Sequence, residues 1–353
     1  MLSDFASVVK VIGDAHLGRR FMEGVPLHRR GQREEDMLAE FERQVEDIAP
    51  TVRFVVQTGD IFDAFTVPAR VVLRTAEILQ QAAESHPYAT YIIYRGNHDG
   101  SRDAEKASSF DLLQAILADV VNIQILSEPE TFQWLGNERS PQPVSFAVMP
   151  WHPFKSALEL VPEVKKAIVH QVVEVSGRVQ VDMIFTHCDT KSYDNDGENF
   201  NLLPREDLAA LTGLVVNGHE HTPKQIADTD CNLVIEMPGS MQPYSHGEDP
   251  EGRFYVTLTV AEFAETDPET LKDKHVRILL SEGEEIPPAI DCRAFTWKRV
   301  VEKEKFEDND EVVEIADFDL RQILSKNLGL HNTSDYHMKM LLGKYDEAKV
   351  IAE

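Results

Sequence analysis

The chain has 353 residues, 42% of them hydrophobic and 8% aromatic, which suits one large core domain with a smaller appendage and excludes a disordered chain. Its 61 acidic residues outweigh 35 basic ones, and the net charge of −26 argues against nucleic-acid binding by average charge; a local basic patch, bound divalent metal or a basic partner would have to supply it. Three widely spaced cysteines without a CxxC pair, no apolar run of bilayer length and a start without signal-peptide architecture predict a cytoplasmic protein with no disulfide framework and no membrane association. In chain order, strands are predicted over residues 8–12, 53–57 and 90–94, alternating with helices over 31–48, 68–83 and 108–117. Further on, the pattern predicts a strand over 144–149, a helix over 157–175, and strands over 181–185, 214–216, 233–237 and 254–260. Alternation followed by a strand-rich half predicts stacked sheets flanked by helices. After residue 262 the composition shifts. The polar segment 265–274 reads as a linker, 275–280 and 295–301 as strands of a small unit, 307–319 as an acidic stretch, and 320–328 and 336–342 as two short helices. The expected division is therefore 1–262, 263–305 and 306–353.

The residues able to hold metal fall just past predicted strands, where open α/β sheets build their sites. Asp14-Ala-His16 follows the first strand, Gly59-Asp60 the second and Gly96-Asn97-His98-Asp99 the third; His187 and Gly218-His219-Glu220-His221 follow two later ones. Two divalent ions held close together need a bridging carboxylate with His, Asn and Asp donors around it. Asp14, His16, Asp60, Asn97, His187, His219 and His221 supply that set, with Asp60 as the natural bridge. Water bound by such ions loses its proton near neutral pH, and the hydroxide attacks phosphorus. His98 is left over from the ligand count, so it is the candidate to protonate or stabilise the leaving oxygen, with Asp99 to orient it. Any one of these histidines alone reads as a hydrogen-bonded loop residue; five groups in order do not.

This series, D-x-H, G-D, G-N-H-D, a lone His and G-H-x-H, resembles the calcineurin-like metallophosphoesterases over residues 8–260. The resemblance implies a four-layer α/β sandwich of two mixed sheets flanked by helices, with a small C-terminal cap and partner-binding region. It implies two divalent ions, manganese first, with zinc, iron or magnesium as alternatives. One would take Asp14, His16, Asp60 and His221; the other Asp60, Asn97, His187 and His219; His98 would be the catalytic histidine. Asp14-Ala-His-Leu-Gly18, Gly59-Asp-Ile-Phe-Asp63, Met149-Pro-Trp-His-Pro153 and Pro238-Gly-Ser-Met-Gln-Pro243 are further similar to the SbcD-type branch of the break-repair nucleases. Archaeal and eukaryotic members of that group carry a second catalytic His three residues after the bridging Asp. This chain has Asp63 there, as SbcD-type members do, which leaves open whether Asp63 does chemistry.

That branch implies a dimeric exo- and endonuclease acting on DNA ends beside an SbcC-like ATPase of the SMC family. No GxxxxGK[ST] occurs here, so the ATPase must be another chain. Leu320, Ile323 and Leu324, and then Tyr336 and Met340, form apolar faces at helical spacing that could bind it or could pack on their own domain. Arg19, Arg20, Arg29, Arg30 and Arg33 cluster after the first motif as a candidate strip for DNA phosphates, or as a solvated loop and helix start. Tyr193, Trp151 and Tyr244 could stack on bases or pack. The competing readings are a stand-alone phosphatase or cyclic-nucleotide phosphodiesterase, and a scaffold without catalysis.

Overall fold

In the computed structural model, which describes residues 2–101, 103, 106–138, 141–171, 180–191 and 200–300, four short apolar runs pair side by side. They are β1 (Val9–Ile12), β2 (Phe54–Gln57), β3 (Thr90–Tyr94) and β4 (Ile123–Leu126), all parallel and in that order. A parallel sheet must be covered on both faces. Helices α1 (Gln32–Glu46), α2 (Ala69–Ser85) and α3 (Ser109–Leu117) cover one: Met37, Phe41, Val72, Leu79 and Leu113 meet Val55, Tyr91 and Ile93. The start of α3 is fixed by a capping box between Ser108 and Asp111, which satisfies two backbone donors that a helix start leaves open.

The opposite face packs on a second, six-stranded sheet, ordered β5-β6-β7-β8-β10-β9. Its strands are β5 (Glu130–Trp134), β6 (Val144–Met149), β7 (Met183–Thr186), β8 (Leu214–Asn217), β9 (Lys224–Asp228) and β10 (Leu233–Met237). Phe54, Val56 and Ile92 of the first sheet interleave with Phe146, Val148, Phe185 and Val216 of the second. The outer face is covered by α4 (Ala157–Gln171) and the short α5 (Arg205–Ala209), through Leu160, Val164, Ile168 and Leu208 against Ala147, Ile184 and Val215. Helix, sheet, sheet, helix: the expected four layers are present. Phe146, fully buried, meets Phe54 edge-on at 4.9 Å and stacks on Phe132 at 5.3 Å. Phe146→Ala is expected to cost about 3–5 kcal/mol, measured as a lowered urea midpoint with unchanged slope.

One expected strand has two candidate sheets. Residues 254–260 read either as one of the main strands or as the start of a reduced cap over 254–301, and the second reading fits: β11 (Tyr255–Thr259) opens a separate three-stranded parallel sheet with β12 (His275–Leu280) and β13 (Ala294–Arg299). The segment expected as a linker holds α6 (Val260–Glu265) and α7 (Pro268–Leu271), capped by Thr259 and Asp267; together they make the crossover that parallel pairing requires. The boundary expected at 262/263 thus cuts α6, inside the small sheet. That sheet is tied to the main body by Phe295 N–H donating to the Gly24 carbonyl (2.9 Å), by Arg29 on Asp291 (2.8 Å) and by Arg293 on Asp36.

By contact density the chain divides into Met1–Val300 and Val301–Glu353. The expected partner-binding residues Leu320, Ile323, Leu324, Tyr336 and Met340 lie outside the described residues, as does Tyr193. Among the described residues, no helix is long and apolar enough to cross a membrane.

Candidate metal centre and catalytic histidine

All seven predicted ligands converge where the carboxyl ends of β1, β2 and β3 meet those of β7 and β8. Asp14, His16, Asp60 and His187 are each at most 1% exposed. Burying this many ionisable groups is costly unless cations or hydrogen bonds compensate. A hydroxyl and two backbone N–H groups supply part of the compensation. Asp14 accepts from Thr58 Oγ1 (3.1 Å) and the His219 N–H (2.9 Å); Asp60 Oδ1 accepts from the His98 N–H (2.8 Å).

The predicted ligands fall into two sets with Asp60 between them, and His16 also groups with Asp63 and His98 at the rim. On one side His16 Nε2 and His221 Nε2 face each other at 3.0 Å beside Asp14. On the other, Asn97 Oδ1 lies 2.9 Å from both His187 Nε2 and His219 Nδ1. Asp60 Oδ2 stands 3.2 Å from His187 Nε2 and 3.8 Å from His16 Nε2, so one carboxylate reaches both sets. Burial alone would raise the Asp60 carboxyl, but the charge and hydrogen bond of His187, with His16 and His98, hold it below the usual carboxylate range. The same pairing acts on His187: burial opposes its charge, yet Asp60 and Asp14 raise it to about 10. Burial also raises Asp14, with His187 working against it.

The donor set fits a pair of divalent cations. It contains only His, Asp and Asn donors, and His16 Nδ1 is buried without a hydrogen-bond partner, with Asp63 Oδ1 3.5 Å away. The outward nitrogens of two ligand histidines are held by carboxylates: His219 Nε2 is 2.6 Å from Asp189 Oδ1, and His221 Nδ1 is 3.4 Å from Glu248 Oε1. His187 Nδ1 donates to the Thr58 carbonyl at 2.8 Å. Such outer partners fix ring orientation and raise donor strength. Neither Asp189 nor Glu248 was singled out from the sequence. Asp189 could have been, as the acid two residues after His187; Glu248 comes from a distant loop and carries no local mark.

Tight backbone geometry is concentrated here. Among the described non-glycine residues, only His16, Asp60, His219 and Asn232 have positive φ, and three of the four are predicted ligands. Strain held by surrounding structure in this way is typical of functional sites. At Gly218 a Cβ would sit 2.1 Å from the Thr58 carbonyl and 2.9 Å from Asp14 Oδ1. Gly218→Ala is therefore expected to fold with a displaced His219 and to bind fewer metal ions per chain, measured by elemental analysis after gel filtration.

His98 is exposed at the rim, its ring edge-on to His16 at 4.9 Å. Its Nδ1 lies 2.6 Å from the Asp63 carbonyl, which can only accept, so Nδ1 carries the proton. That tautomer leaves Nε2 as the nitrogen that exchanges a proton with substrate. The expectation that Asp99 orients His98 is corrected. The Asp99 carboxylate is fully buried and accepts from the backbone N–H groups of Gly96 (2.9 Å), Phe62 (3.0 Å) and Ile61 (3.2 Å). Burial raises it to about 8, Asp60 adding to the effect and the Gly96 and Phe62 N–H groups opposing it. Asp99 shapes the loop; Asp63 holds the ring.

The arginine strip is corrected in part. Arg33 is only 3% exposed: it donates to Gln242 Oε1 (2.5 Å) and the Pro243 carbonyl (2.9 Å) and lies 4.5 Å from the Phe254 ring. Arg29 is taken by Asp291. Arg20 and Arg30 are exposed, and Arg19 is half-buried, 3.5 Å from Asp63 Oδ1 and over the Tyr244 ring at 5.2 Å. Trp151 and Tyr244 pack instead of facing solvent; the Tyr244 hydroxyl donates to the Asp14 carbonyl (2.7 Å).

When bound, the two metals supply Lewis-acid charge at the phosphoryl oxygens and bring the pKa of water near neutrality. The chain does the rest. Asp60, Asp14, Asn97 and the four histidines would present the donors. With Nδ1–H held by the Asp63 carbonyl, a protonated His98 would be placed to give its Nε2 proton to the departing oxygen.

The sequence model of the calcineurin-like phosphoesterase family matches residues 7–223. No curated protein matches the chain. Among solved structures it is similar to phosphopantetheinyl hydrolase from Mycobacterium tuberculosis, at 15% identity over 67% of this chain and 93% of that one, with a TM-score of 0.35. It is also similar to GAP50, the anchor in the inner membrane complex of Plasmodium, at 14% identity over 66% and 71%, with a TM-score of 0.36. Likenesses this distant carry no argument about activity, whereas the family match spans most of the chain and ends just past the last predicted ligand. With both metal-binding sets and the rim histidine assembled inside that span, the chain belongs to the calcineurin-like phosphoesterase family and is a metal-dependent hydrolase of phosphoesters.

Proposed function

We propose that the chain is the nuclease subunit of an SbcCD-like complex that processes DNA ends, hydrolysing phosphodiester bonds with two manganese ions. The observation that carries this reading is the position of His98. Its ring stands at the exposed rim with Nδ1 on the Asp63 carbonyl, so Nε2 can serve a leaving group that arrives as part of a long chain. A DNA 3′-oxygen needs such a proton donor because it leaves poorly unprotonated. The SbcD-like strings also acquire structural work: Ser240 bridges Asp14, the Met241 N–H donates to the Asp14 carbonyl, and Gln242 and Pro243 hold Arg33. An ATPase partner bound through the C-terminal segment, and a dimer, belong to the same proposal.

The charge of −26 favours a second reading, a phosphatase or phosphodiesterase of small substrates. Linear duplex and single-stranded DNA and an aryl phosphodiester, each with manganese and with excess chelator, separate the two. Metal-dependent cleavage of DNA is the expected result. Rapid turnover of the aryl ester with intact DNA, repeated with an SbcC-like partner present, would overturn the nuclease reading.

A further inference from the structure

Beside the metal centre, one side chain away, lies a cleft of roughly 270 Å³ between the loop after the first motif and the small three-stranded sheet. Arg19, Arg20 and Arg277 line it with Tyr255, His246 and His275, and Glu23 is the one carboxylate on its wall. Tyr244 separates it from the ligands, its ring 5.1 Å from His16 and 5.5 Å from His221.

Two features of the wall are costly unless something binds. Tyr255 and His275 are 5% and 6% exposed and stacked at 4.7 Å; His275 Nε2 has no hydrogen-bond partner, and the Tyr255 hydroxyl faces Arg33, which can only donate to it and leaves its proton unused. A buried polar atom left in this state costs about 1–3 kcal/mol. Two further guanidinium groups stand here beside Arg19, which is itself 3.5 Å from Asp63 Oδ1. Among the described residues, no carboxylate pairs with Arg20 or Arg277, in a chain with 26 more acids than bases. Arg33 and Arg19 act on the Tyr255 hydroxyl from behind, although burial still raises it. His275 and His246 are each pushed down to about 4 by burial and then by the neighbouring arginines, so both are neutral donors or acceptors in a cationic setting.

We propose that this cleft binds a phosphoryl group other than the one being cleaved, namely the next phosphate of an extended substrate strand. The Tyr255 hydroxyl and His275 N–H donate to its oxygens, and Arg19, Arg20 and Arg277 balance its charge. This rests on the DNA reading above and deepens it: the enzyme selects chains with at least two phosphates over single phosphodiesters. It also places local positive charge where an acidic protein needs it.

Two measurements test the proposal. Inorganic phosphate titrated into the full chain after chelator treatment, followed by calorimetry, is expected to bind saturably. The double variant Arg277→Ala, Tyr255→Phe is expected to weaken that binding about tenfold. Arg277→Lys, which keeps the cation, is expected to recover most of the affinity, separating loss of charge from loss of fold. With manganese, the ratio of kcat/KM for an oligonucleotide to that for an aryl phosphodiester is expected to fall about tenfold in the double variant. No saturable phosphate binding, or binding unmoved by the double variant, overturns the subsite. Phosphate binding that weakens while the substrate ratio stays constant overturns the assignment to a substrate strand and leaves free phosphate as the ligand. If DNA is not cleaved at all, the DNA reading fails while the phosphate titration still decides the subsite.

Discussion

His98→Ala is expected to lower kcat for DNA by about 10²–10⁴ while leaving bound metal at its wild-type stoichiometry. The two effects separate because of how the residue is attached. Its backbone N–H, which alanine retains, donates to Asp60 Oδ1 at 2.8 Å; its ring touches the Asp63 carbonyl and belongs to neither ligand set described above. The size of the loss should depend on the leaving group. A sugar oxygen needs a proton as the P–O bond breaks, whereas a nitrophenolate leaves well as an anion. The variant should therefore lose far less activity on an aryl phosphodiester than on DNA. Equal loss on both substrates, with metal intact, would remove the general-acid role and leave His98 a positioning residue.

Asp60→Asn is expected to abolish detectable hydrolysis, at least a 10³-fold loss, and to reduce bound metal below the wild-type count. The substitution keeps the shape and can still accept the His98 N–H, so the fold should survive. It removes the charge shared between His16 and His187 and turns a donor-seeking oxygen into an amide. A second readout needs no activity. In the metal-free protein Asp60 is the leading influence that raises the His187 imidazole, so its replacement should bring the His187 titration down from about 10. Two-dimensional NMR of the histidine rings measures that directly. An unchanged His187 titration with full metal content would show that Asp60 does not join the two sets.

The centre was legible in the sequence because its chemistry is local. Each ligand group directly follows an apolar strand, and glycines at 59, 96 and 218 mark where backbone and side chains crowd. What pairs with what was not legible. The alternation of residues 254–260 marks a strand but not its neighbour, and β11 went to the small sheet. β9, with Lys and Gln in a five-residue edge, offers little apolar signal at all. The partner that holds His98 is a backbone carbonyl, which every residue possesses, so Asp99 drew the attention that belonged to Asp63. The burial of Arg33 is legible in the spacing: it falls four residues before Met37, which itself falls four before Phe41, on the buried face of α1. A cation at such a position caps an apolar stripe before it meets a ligand.

The attachment of Asp14 has a consequence for how the protein is made. Its carbonyl receives the Met241 N–H and the Tyr244 hydroxyl, the latter 230 residues further along, and His221 leans on Glu248. A ribosome would therefore release the first metal-binding motif long before the groups that hold it in place exist. Contacts of such separation form late and slow the folding of the region that needs them. The nascent chain would pass through a stage with sheets assembled and the catalytic pocket still unbraced. A fragment ending at residue 223 would contain every ligand yet lack β9, β10 and the groups that brace Asp14 and His221, and is expected to retain less metal than the full chain.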